Sequence, residues 1–354
     1  MRIGLLTFTD GTNLGQRLQN FALQQVIKEL VPGCTVVTIR QSYPFSKTKR
    51  KVKMCIAFLR NPKHEIIRLR RKKHFDEFNK KHIEFYPKEM LFYGDNTAFS
   101  KEFDCFIVGS DQVWNPSSPF VGANFFLTFA KKHQRLTYAP SFSVNEIPAE
   151  KENLYKDYLS GFPDITVRED IGATIVNELA GKPADVVLDP TLLLEKREYE
   201  KIKVEYRKRP KASYILAVFL GDSPNTDIDE ISKKLEQNVF SITPDTVIGP
   251  DEFLDIIEHA ELVLTDSYHV TIFSIIFRKP FVNFTRSGKG SMMSSRFDTL
   301  FRMLGIHNRE WSYLRSFPEE IKRMDFEAIY HSLECERIRC ISILKKELEP
   351  FVLQ

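Results

Sequence analysis

Short apolar runs bounded by polar or turn-forming residues alternate with segments of helical periodicity along the first half of the chain. The runs predict strands at Arg2–Thr7, Thr35–Ile39, Phe103–Val108, Leu136–Ala139, Ile165–Val167 and Val186–Leu188, with a helix over Leu14–Leu30. Strands that alternate with helices are typical of an open parallel sheet whose faces are covered by helices.

A second series of the same kind follows residues 195–211, a highly charged stretch of weak patterning that we take as the domain boundary. It comprises strands Tyr214–Leu220, Val239–Ile242, Leu262–Thr265 and Pro280–Phe284, helices Asp227–Leu235, Pro250–Ala260 and Val270–Phe277, and a final helical stretch, Phe326–Leu348. We therefore predict an α/β fold with two Rossmann-like domains facing each other across a cleft. Their bounds are 1–200 and 210–325, and a C-terminal helix within 326–354 is expected to pack back on the first domain.

The composition is that of a globular protein. Of 354 residues 42% are hydrophobic, and 51 Lys and Arg nearly balance 47 Asp and Glu, which excludes global disorder. Five scattered cysteines form no zinc-type spacing, so neither a metal nor a disulfide framework is predicted. The chain shows no signal-peptide pattern at its start and no apolar run of 18 residues, so we expect a cytoplasmic protein.

Positive charge is concentrated in one segment. Residues 47–81 contain 14 Lys and Arg against 3 Asp and Glu, with apolar residues at roughly helical spacing. A basic amphipathic segment of this kind can lie on an anionic membrane surface. The alternative is a helix whose apolar side contacts the protein while its charged side faces water, and charge runs in general favour it. Nucleic-acid binding is not predicted, since aromatic residues are not interleaved on a strand platform and total charge is near neutral.

Polar residues suited to a sugar follow the strands of the first domain. In open α/β sheets, ligands bind beyond the carboxyl ends of the strands. These candidates are Asn13 and Gln19 after the first strand, Asp111, Gln112 and Trp114 after the third, and Tyr138 near the end of the fourth with Ser141 after it. A helix cap at Asn13, a tight turn at Asp111 and a core position for Trp114 are the alternative interpretations.

Cationic residues suited to an anion follow other strands. Arg168 comes directly after a short strand, where its planar guanidinium can bind a carboxylate or a phosphate. His269 stands where a helix begins after the buried strand Leu262–Thr265, a position from which it can bind an anion or transfer a proton. Lys289 and Arg296 belong to a basic stretch, Thr285–Phe297, that can close over the cleft. A surface ion pair, a satisfied polar histidine and a plain loop are the alternatives.

Several motifs together resemble those of the polysaccharide pyruvyl transferases. They are GSDQVWN after a buried strand, YAPSF, TVRED, VLDPTLLL, and TDSYHVTIFSIIFRKPF followed by SSRFDTL. The resemblance implies two Rossmann-like domains arranged as in glycosyltransferase-B folds. It also implies transfer of pyruvate from phosphoenolpyruvate to two hydroxyls of a sugar, giving a cyclic ketal, with phosphoenolpyruvate as co-substrate and no other cofactor. The acceptor would be a capsular or exopolysaccharide precursor, commonly a lipid-linked oligosaccharide, which would give segment 47–81 a purpose at the inner membrane face.

The resemblance, joined to strand-end position, implies roles for individual residues. The expected catalytic residues are His269, Asp111 and Arg168; the donor-binding residues are Arg168, Ser267, His269, Thr271, Lys289 and Arg296; the acceptor-binding residues are Asn13, Gln19, Asp111, Gln112, Trp114, Tyr138 and Ser141. Many family members have Arg two residues before this His, where the present chain has Ser267. Either Arg296, Lys289 or Arg278 supplies the positive charge of the missing Arg, or this chain uses its donor differently from those members.

Two other functions stay open from the sequence. One is a glycosyltransferase of the same fold that uses another activated donor, such as a nucleotide sugar, although the chain has no nucleotide-binding signature. The other is a non-catalytic carbohydrate-binding protein of polysaccharide assembly, which Ser267 in the place of Arg favours. An enzyme is favoured by the presence of His269, Arg168, Asp111 and Arg296.

Overall fold

The first half of the chain forms a four-stranded parallel sheet. The structure is a computed structural model, and it describes residues 1–42, 55–286 and 295–352. The strands β1 (Arg2–Leu6), β2 (Thr35–Thr38), β3 (Cys105–Val108) and β4 (Arg135–Thr137) are arranged in the order β2-β1-β3-β4. In this register Ile3 lies opposite both Val36 and Cys105. A short parallel pair, β5 (Thr166–Val167) and β6 (Asp185–Val186), follows, and the backbone N–H of Arg168 donates to the carbonyl of Pro140 beyond β4.

The second half forms another four-stranded parallel sheet. Its strands are β7 (Tyr214–Val218), β8 (Asn238–Ile242), β9 (Leu262–Thr265) and β10 (Phe281–Asn283), in the order β10-β9-β7-β8. The sequence predicted this α/β class with two parallel sheets, and that prediction is confirmed.

Helices cover both sheets. They are α1 (Leu14–Leu30), α2 (Pro62–His82), α3 (Ala149–Leu159), α4 (Asp170–Ala180), α5 (Pro190–Leu193), α6 (Lys196–Ile202), α7 (Asn225–Leu235), α8 (Pro250–Glu258), α9 (Tyr268–Ile276), α10 (Ser295–Leu304), α11 (Trp311–Leu314) and α12 (Phe326–Val352). Residues 55–60 are also helical, and 3₁₀ turns occur at Thr97–Lys101, Ala123–Phe126, Lys132–Gln134 and Pro318–Glu320. In the described part of the chain, no helix combines the length and the apolarity needed to cross a bilayer.

The core between the two sheets is continuous. Period-two alternation along β1 directs Ile3 and Leu5 to this inner core and Leu6 to a separate core on the outer side of the first sheet. On β7, Leu216 belongs to the inner core and Ile215 to the outer core of the second sheet. The helices α1, α8 and α9 contribute to the inner core, so the two sheets are joined through packed helices.

The charged stretch 195–211, whose weak patterning predicted no helix and was taken as the domain boundary, contains the helix α6. Its Tyr199 and Ile202 are buried in the inner core. Two apolar residues three positions apart are sufficient to anchor a two-turn helix, and this signal was hidden among the charges.

The last helix, α12, contacts elements of both halves. The Arg337 guanidinium donates to the carbonyl oxygens of Leu192 (2.5 Å) and Leu194 (3.0 Å) at α5. Near its start, the Tyr330 hydroxyl donates to the carbonyl of Ile276 at the end of α9. Helix α12 is thus hydrogen-bonded to the chain on both sides of the cleft.

Candidate functional site

The first turns of α1 and α9 bring the two halves into direct contact. Gly15 in α1 packs on the ring of His269 in α9, and a Cβ added at Gly15 would lie 2.2 Å from His269 Cγ. Every other residue type would collide with the imidazole. Asn13 fixes the start of α1, because its side chain accepts a hydrogen bond from the Gln16 N–H. The carboxyl ends of β1 and β9 therefore meet at His269.

The turn after β3 has an unusual backbone that positions Asp111. Gly109 has φ of +117°, and a Cβ there would lie 2.1 Å from the Tyr138 carbonyl oxygen. Asp111 itself has φ of +74°, a conformation that non-glycine residues rarely adopt and that is enriched at functional sites. The Asp111 carbonyl accepts a 2.8 Å hydrogen bond from the Ser141 N–H. The position of the Asp111 carboxylate thus depends on an energetically unfavourable backbone conformation.

Arg168 lies at the centre of a buried charge cluster. Its side chain has no exposed surface, and one Nη donates to Asp189 Oδ2 at 3.1 Å. Its other Nη lies 3.9 Å from Asp111 Oδ1, and its Nε lies 3.8 Å from Glu169 Oε2. Burial alone would lower the pKa of Arg168, but Tyr268 and the three carboxylates together raise it. The Arg168 guanidinium is therefore protonated and positively charged.

Asp189 links Arg168 to His269. Its Oδ1 accepts from the Thr191 N–H and hydroxyl at the start of α5, while its Oδ2 lies 3.5 Å from His269 Nε2. Burial alone would raise the pKa of Asp189, but His269 and then Arg168 reduce it to well below its usual range. An ionised carboxylate thus faces the imidazole. The sequence offered a signal, since Asp189 stands in VLDPTLLL directly after a strand, but that position was not among the predicted site residues.

A second cation lies beside the cluster. The ring centroid of Tyr268 is 4.7 Å from the Arg168 guanidinium carbon and 5.4 Å from that of Arg296. Burial and then the repulsion of Arg168 lower the pKa of Arg296 to about 10. Within the described residues, the Nε atoms of both arginines and one Nη of Arg168 are buried without a hydrogen-bond acceptor. Two guanidiniums with unused N–H groups are the donors that a doubly charged anion requires.

A larger cavity of about 560 Å³ opens beside Asp111. The predicted residues Asn13, Asp111 and Gln112 line it. Arg286, from the predicted basic stretch Thr285–Phe297, lines it too. Other lining residues were missed by sequence reasoning, namely Phe8, Gln41, Ser42, Phe92, Phe120 and Phe125. Aromatic faces mixed with amide and carboxylate groups suit the alternating apolar and hydroxylated surfaces of a sugar.

A smaller cavity of about 360 Å³ lies between the halves. His269 and Ser267 line it, as does Arg71 of α2, whose guanidinium donates to the carbonyls of Thr12 (3.3 Å) and Thr243 (3.4 Å). Asn13 and Leu220 line both cavities, so the two spaces adjoin. The imidazole of His269 therefore lies on the wall next to the larger, aromatic cavity.

Several predicted site residues lie behind the cavities. Trp114 is fully buried, stacks on Phe126 and donates from Nε1 to the Phe125 carbonyl at 2.8 Å. Gln19 is also buried, and its amide donates to Thr7 Oγ1 and accepts from the Ser110 N–H. These residues support the turns that form the wall rather than facing the space.

Three further predicted residues have similar buried positions. Ser141 donates to Glu169 Oε1 at 2.7 Å, and Thr271 Oγ1 accepts from the Asn283 amide at 3.1 Å. Tyr138 is fully buried in the inner core.

Lys289 lies outside the described residues. Arg278, the other candidate for the missing charge, lies at the far end of α9 and pairs there with Glu327 at 2.5 Å.

The comparisons with known proteins come from one family model and from solved structures. The model of the family "Polysaccharide pyruvyl transferase" matches residues 13–288, more than three quarters of the 354 residues. No protein of curated function matches the sequence.

Two solved structures show the fold. The chain is similar to UDP-GlcNAc 2-epimerase from Neisseria meningitidis bound to UDP-GlcNAc, at 10% identity and a TM-score of 0.51, over 99% of this chain and 100% of that one. It is also similar to a putative UDP-N-acetylglucosamine 2-epimerase from Listeria monocytogenes, at 10% identity and a TM-score of 0.50, over 99% and 97% of the two chains. The predicted glycosyltransferase-B-like architecture is confirmed by this likeness.

Proposed function

Since the chain belongs to the polysaccharide pyruvyl transferase family, we propose that it transfers pyruvate from phosphoenolpyruvate to two hydroxyls of a sugar, forming a cyclic ketal. The sugar belongs to a precursor of a capsular or extracellular polysaccharide. The observation that carries this proposal is the pair of buried guanidiniums, Arg168 and Arg296, against Tyr268 and next to His269. Phosphoenolpyruvate has a carboxylate and a phosphate, and two guanidinium forks match that pair of anions.

In this proposal, Arg296 supplies the positive charge that many family members have from an Arg at the position of Ser267. Ser267 occupies the position where many members have Arg, and its small side chain lines the smaller cavity. The Arg296 guanidinium lies against Tyr268, the residue adjacent to Ser267, and therefore brings a positive charge from α10 to the neighbourhood of that position. Its pKa of about 10 still leaves it cationic at neutral pH.

The reaction requires a proton donor and a proton acceptor. In the proposed mechanism, protonated His269 adds a proton to the methylene carbon of phosphoenolpyruvate, which becomes a methyl group next to a cationic carbon. A sugar hydroxyl attacks that carbon, phosphate leaves with the electron pair of its C–O bond, and a second hydroxyl closes the ring. Of the two hydroxyl protons, one replaces the proton delivered to carbon and the other leaves with phosphate. The ionised Asp189 stabilises the charged imidazole.

Asp111 is the proposed base for the acceptor hydroxyl. Its carboxylate lies 3.9 Å from Arg168, one of the proposed donor-binding arginines, and on the wall of the larger cavity proposed for the acceptor. Asn13 and Gln112 offer hydrogen bonds to the sugar, and Phe92 and Phe120 offer faces for its apolar side. Phosphoenolpyruvate is the co-substrate, and no metal or other cofactor has a step in this mechanism.

The acceptor we propose is a lipid-linked oligosaccharide at the inner membrane face. The basic segment 47–81 supports this proposal, because its excess of positive charge suits a peripheral contact of a cytoplasmic enzyme with anionic lipid.

Calorimetric titration with phosphoenolpyruvate tests the donor assignment. We expect wild-type protein to bind it, and Arg296→Gln to bind at least about tenfold more weakly, since a charge-assisted interaction in a buried site is lost. Arg278→Gln removes a guanidinium at the far end of α9 and is the matched control, with unchanged affinity expected. Binding of nucleotide sugars but not of phosphoenolpyruvate would instead favour the glycosyltransferase interpretation.

A further inference from the structure

Five large apolar side chains are exposed together on two consecutive helical segments. They are Ile56, Phe58 and Leu59 in the helical residues 55–60, and Ile66 and Leu69 in the first half of α2, with exposed fractions between 41% and 83%. Single exposed apolar residues are ordinary, but a contiguous group of them marks a surface that meets another apolar phase.

Helix α2 has apolar residues on two opposite faces. Phe75 and Phe78 face the inner core. Nine residues, or two and a half helical turns, separate Ile66 from Phe75 and likewise Leu69 from Phe78, which directs Ile66 and Leu69 away from the protein. The expectation that the apolar side of this segment contacts the protein therefore applies to the second half of α2 and not to the first.

Cations surround the exposed apolar group. Residues 55–73 contain seven Lys and Arg and one acidic residue, Glu65. Glu65 is buried and accepts a 2.8 Å hydrogen bond from Arg68 Nε, so it adds little negative charge to the surface. Arg60, Lys63 and Arg70 are exposed beside the apolar side chains. Apolar side chains within a cationic rim complement a bilayer with anionic headgroups.

The second half of α2 attaches this surface firmly to the site. His74 Nδ1 lies 2.7 Å from Glu252 Oε2 of the second half of the chain, and Arg71 donates to the carbonyls of Thr12 and Thr243. Arg71 lines the same cavity as His269 and is two residues from Leu69. The exposed surface therefore lies on the same helix as a residue of the smaller cavity, only two positions away from it.

From these observations we infer that Ile56, Phe58, Leu59, Ile66 and Leu69, with Arg60, Lys63 and Arg70, form a docking surface for an anionic lipid bilayer. The apolar side chains enter the headgroup region and the cations contact lipid phosphates. This assigns the membrane contact of the proposed function to specific residues. The lipid interaction itself does not require the proposed reaction, so the two can be tested separately.

Flotation with vesicles tests the docking surface. The full-length protein is mixed with phosphatidylcholine vesicles with or without phosphatidylglycerol, at low and at high salt. We expect binding that requires the anionic lipid and weakens as salt screens the cations. The triple variant Leu59→Ser, Ile66→Ser, Leu69→Ser should bind at least about tenfold more weakly. The matched control, Leu91→Ser, Leu154→Ser, Ile338→Ser, changes three exposed apolar residues elsewhere and should bind as wild type does.

The same variants distinguish lipid from other occupants. Absence of wild-type binding to anionic vesicles at low salt would overturn the proposal. Equal loss of vesicle binding in both triple variants would also overturn it. A third contrary result would be that the wild-type protein is a dimer that binds no lipid, and that the docking-surface triple variant is a monomer. Calorimetry with phosphoenolpyruvate on the docking-surface triple gives wild-type affinity if only docking is lost, which separates this proposal from the donor assignment.

Discussion

Gly15 and His269 are the residues through which the two halves of the chain meet at the site. Because the imidazole occupies the space where a Cβ at Gly15 would be, this glycine is required by close approach and not by backbone conformation. Even the single methyl group of an alanine at position 15 would overlap the His269 ring, so this substitution tests whether the position of the imidazole matters.

Gly15→Ala is expected to displace His269. We predict a destabilisation of about 1–3 kcal/mol from overpacking and a loss of activity of at least about tenfold, since displacement of a catalytic group by about 1 Å has large kinetic effects. Urea unfolding and turnover measure the two effects. Gly122→Ala is the control, because its Cβ would lie 3.6 Å from Phe92, an ordinary contact. Full activity in Gly15→Ala would contradict the assigned position of His269.

Asp189 shows what a buried carboxylate contributes. Its pKa is lowered in the folded protein, so its stabilising contribution is present above its unfolded pKa of about 3.9 and disappears as pH falls below it. At neutral pH, Asp189→Asn leaves Arg168 without its closest counter-charge.

Asp189→Asn is therefore predicted to be about 3–5 kcal/mol less stable than wild type at pH 7. The difference should narrow as pH is lowered through about 4. Urea unfolding at several pH values measures it, and the exposed Asp157→Asn on α3 is the control. A difference that does not change with pH would show that the carboxylate acts only by shape.

At the scale of elements, the sequence predicted long, regular features well. Helix α1 and strand β9 begin and end where they were predicted, because an Asn cap marks the start of α1 and a fully apolar run defines β9. Short or charged elements were harder. Helix α6 was missed, since only Tyr199 and Ile202 among its residues indicate a buried face.

The candidate site was predictable from strand ends only in part. Asn13, Asp111, Gln112 and His269 line cavities, as strand-end reasoning expects. Trp114 and the other buried polar residues follow strands equally closely, but local sequence does not reveal whether a side chain turns outward or inward. Asp189 acts through Arg168 and His269, which are 21 and 80 residues away, and no local pattern encodes such contacts.

Helix α12 positions the site from outside. Arg337 hydrogen-bonds to carbonyls of the short helix α5, and Asp189 caps that helix. We predict that Arg337→Ala costs about 1–3 kcal/mol, because two carbonyl oxygens lose a buried charged donor. It should also lower kcat with little change in KM for phosphoenolpyruvate. Lys345→Ala, an exposed change on α12, is the control. An unchanged kcat would show that α12 only adds stability.

At the scale of the whole molecule, the strand ends of the two sheets surround two adjoining cavities and a buried pair of cations. The cations Arg168 and Arg296 are buried beside Tyr268, and the larger cavity is lined by aromatic and amide groups. The division matches the proposed pair of substrates, a small donor with two anionic groups and a larger, neutral acceptor. The imidazole of His269 lines the smaller cavity, which adjoins the larger one.

The most direct measurement of this account is product analysis with isotopically labelled phosphoenolpyruvate. Wild-type protein is incubated with labelled phosphoenolpyruvate, unlabelled nucleotide sugars and a panel of oligosaccharide acceptors, and products are examined by NMR and mass spectrometry. We predict a labelled pyruvyl ketal on an acceptor, one phosphate released per ketal, and neither product with His269→Ala. Addition of a sugar residue to an acceptor while phosphoenolpyruvate stays unconsumed would contradict the account.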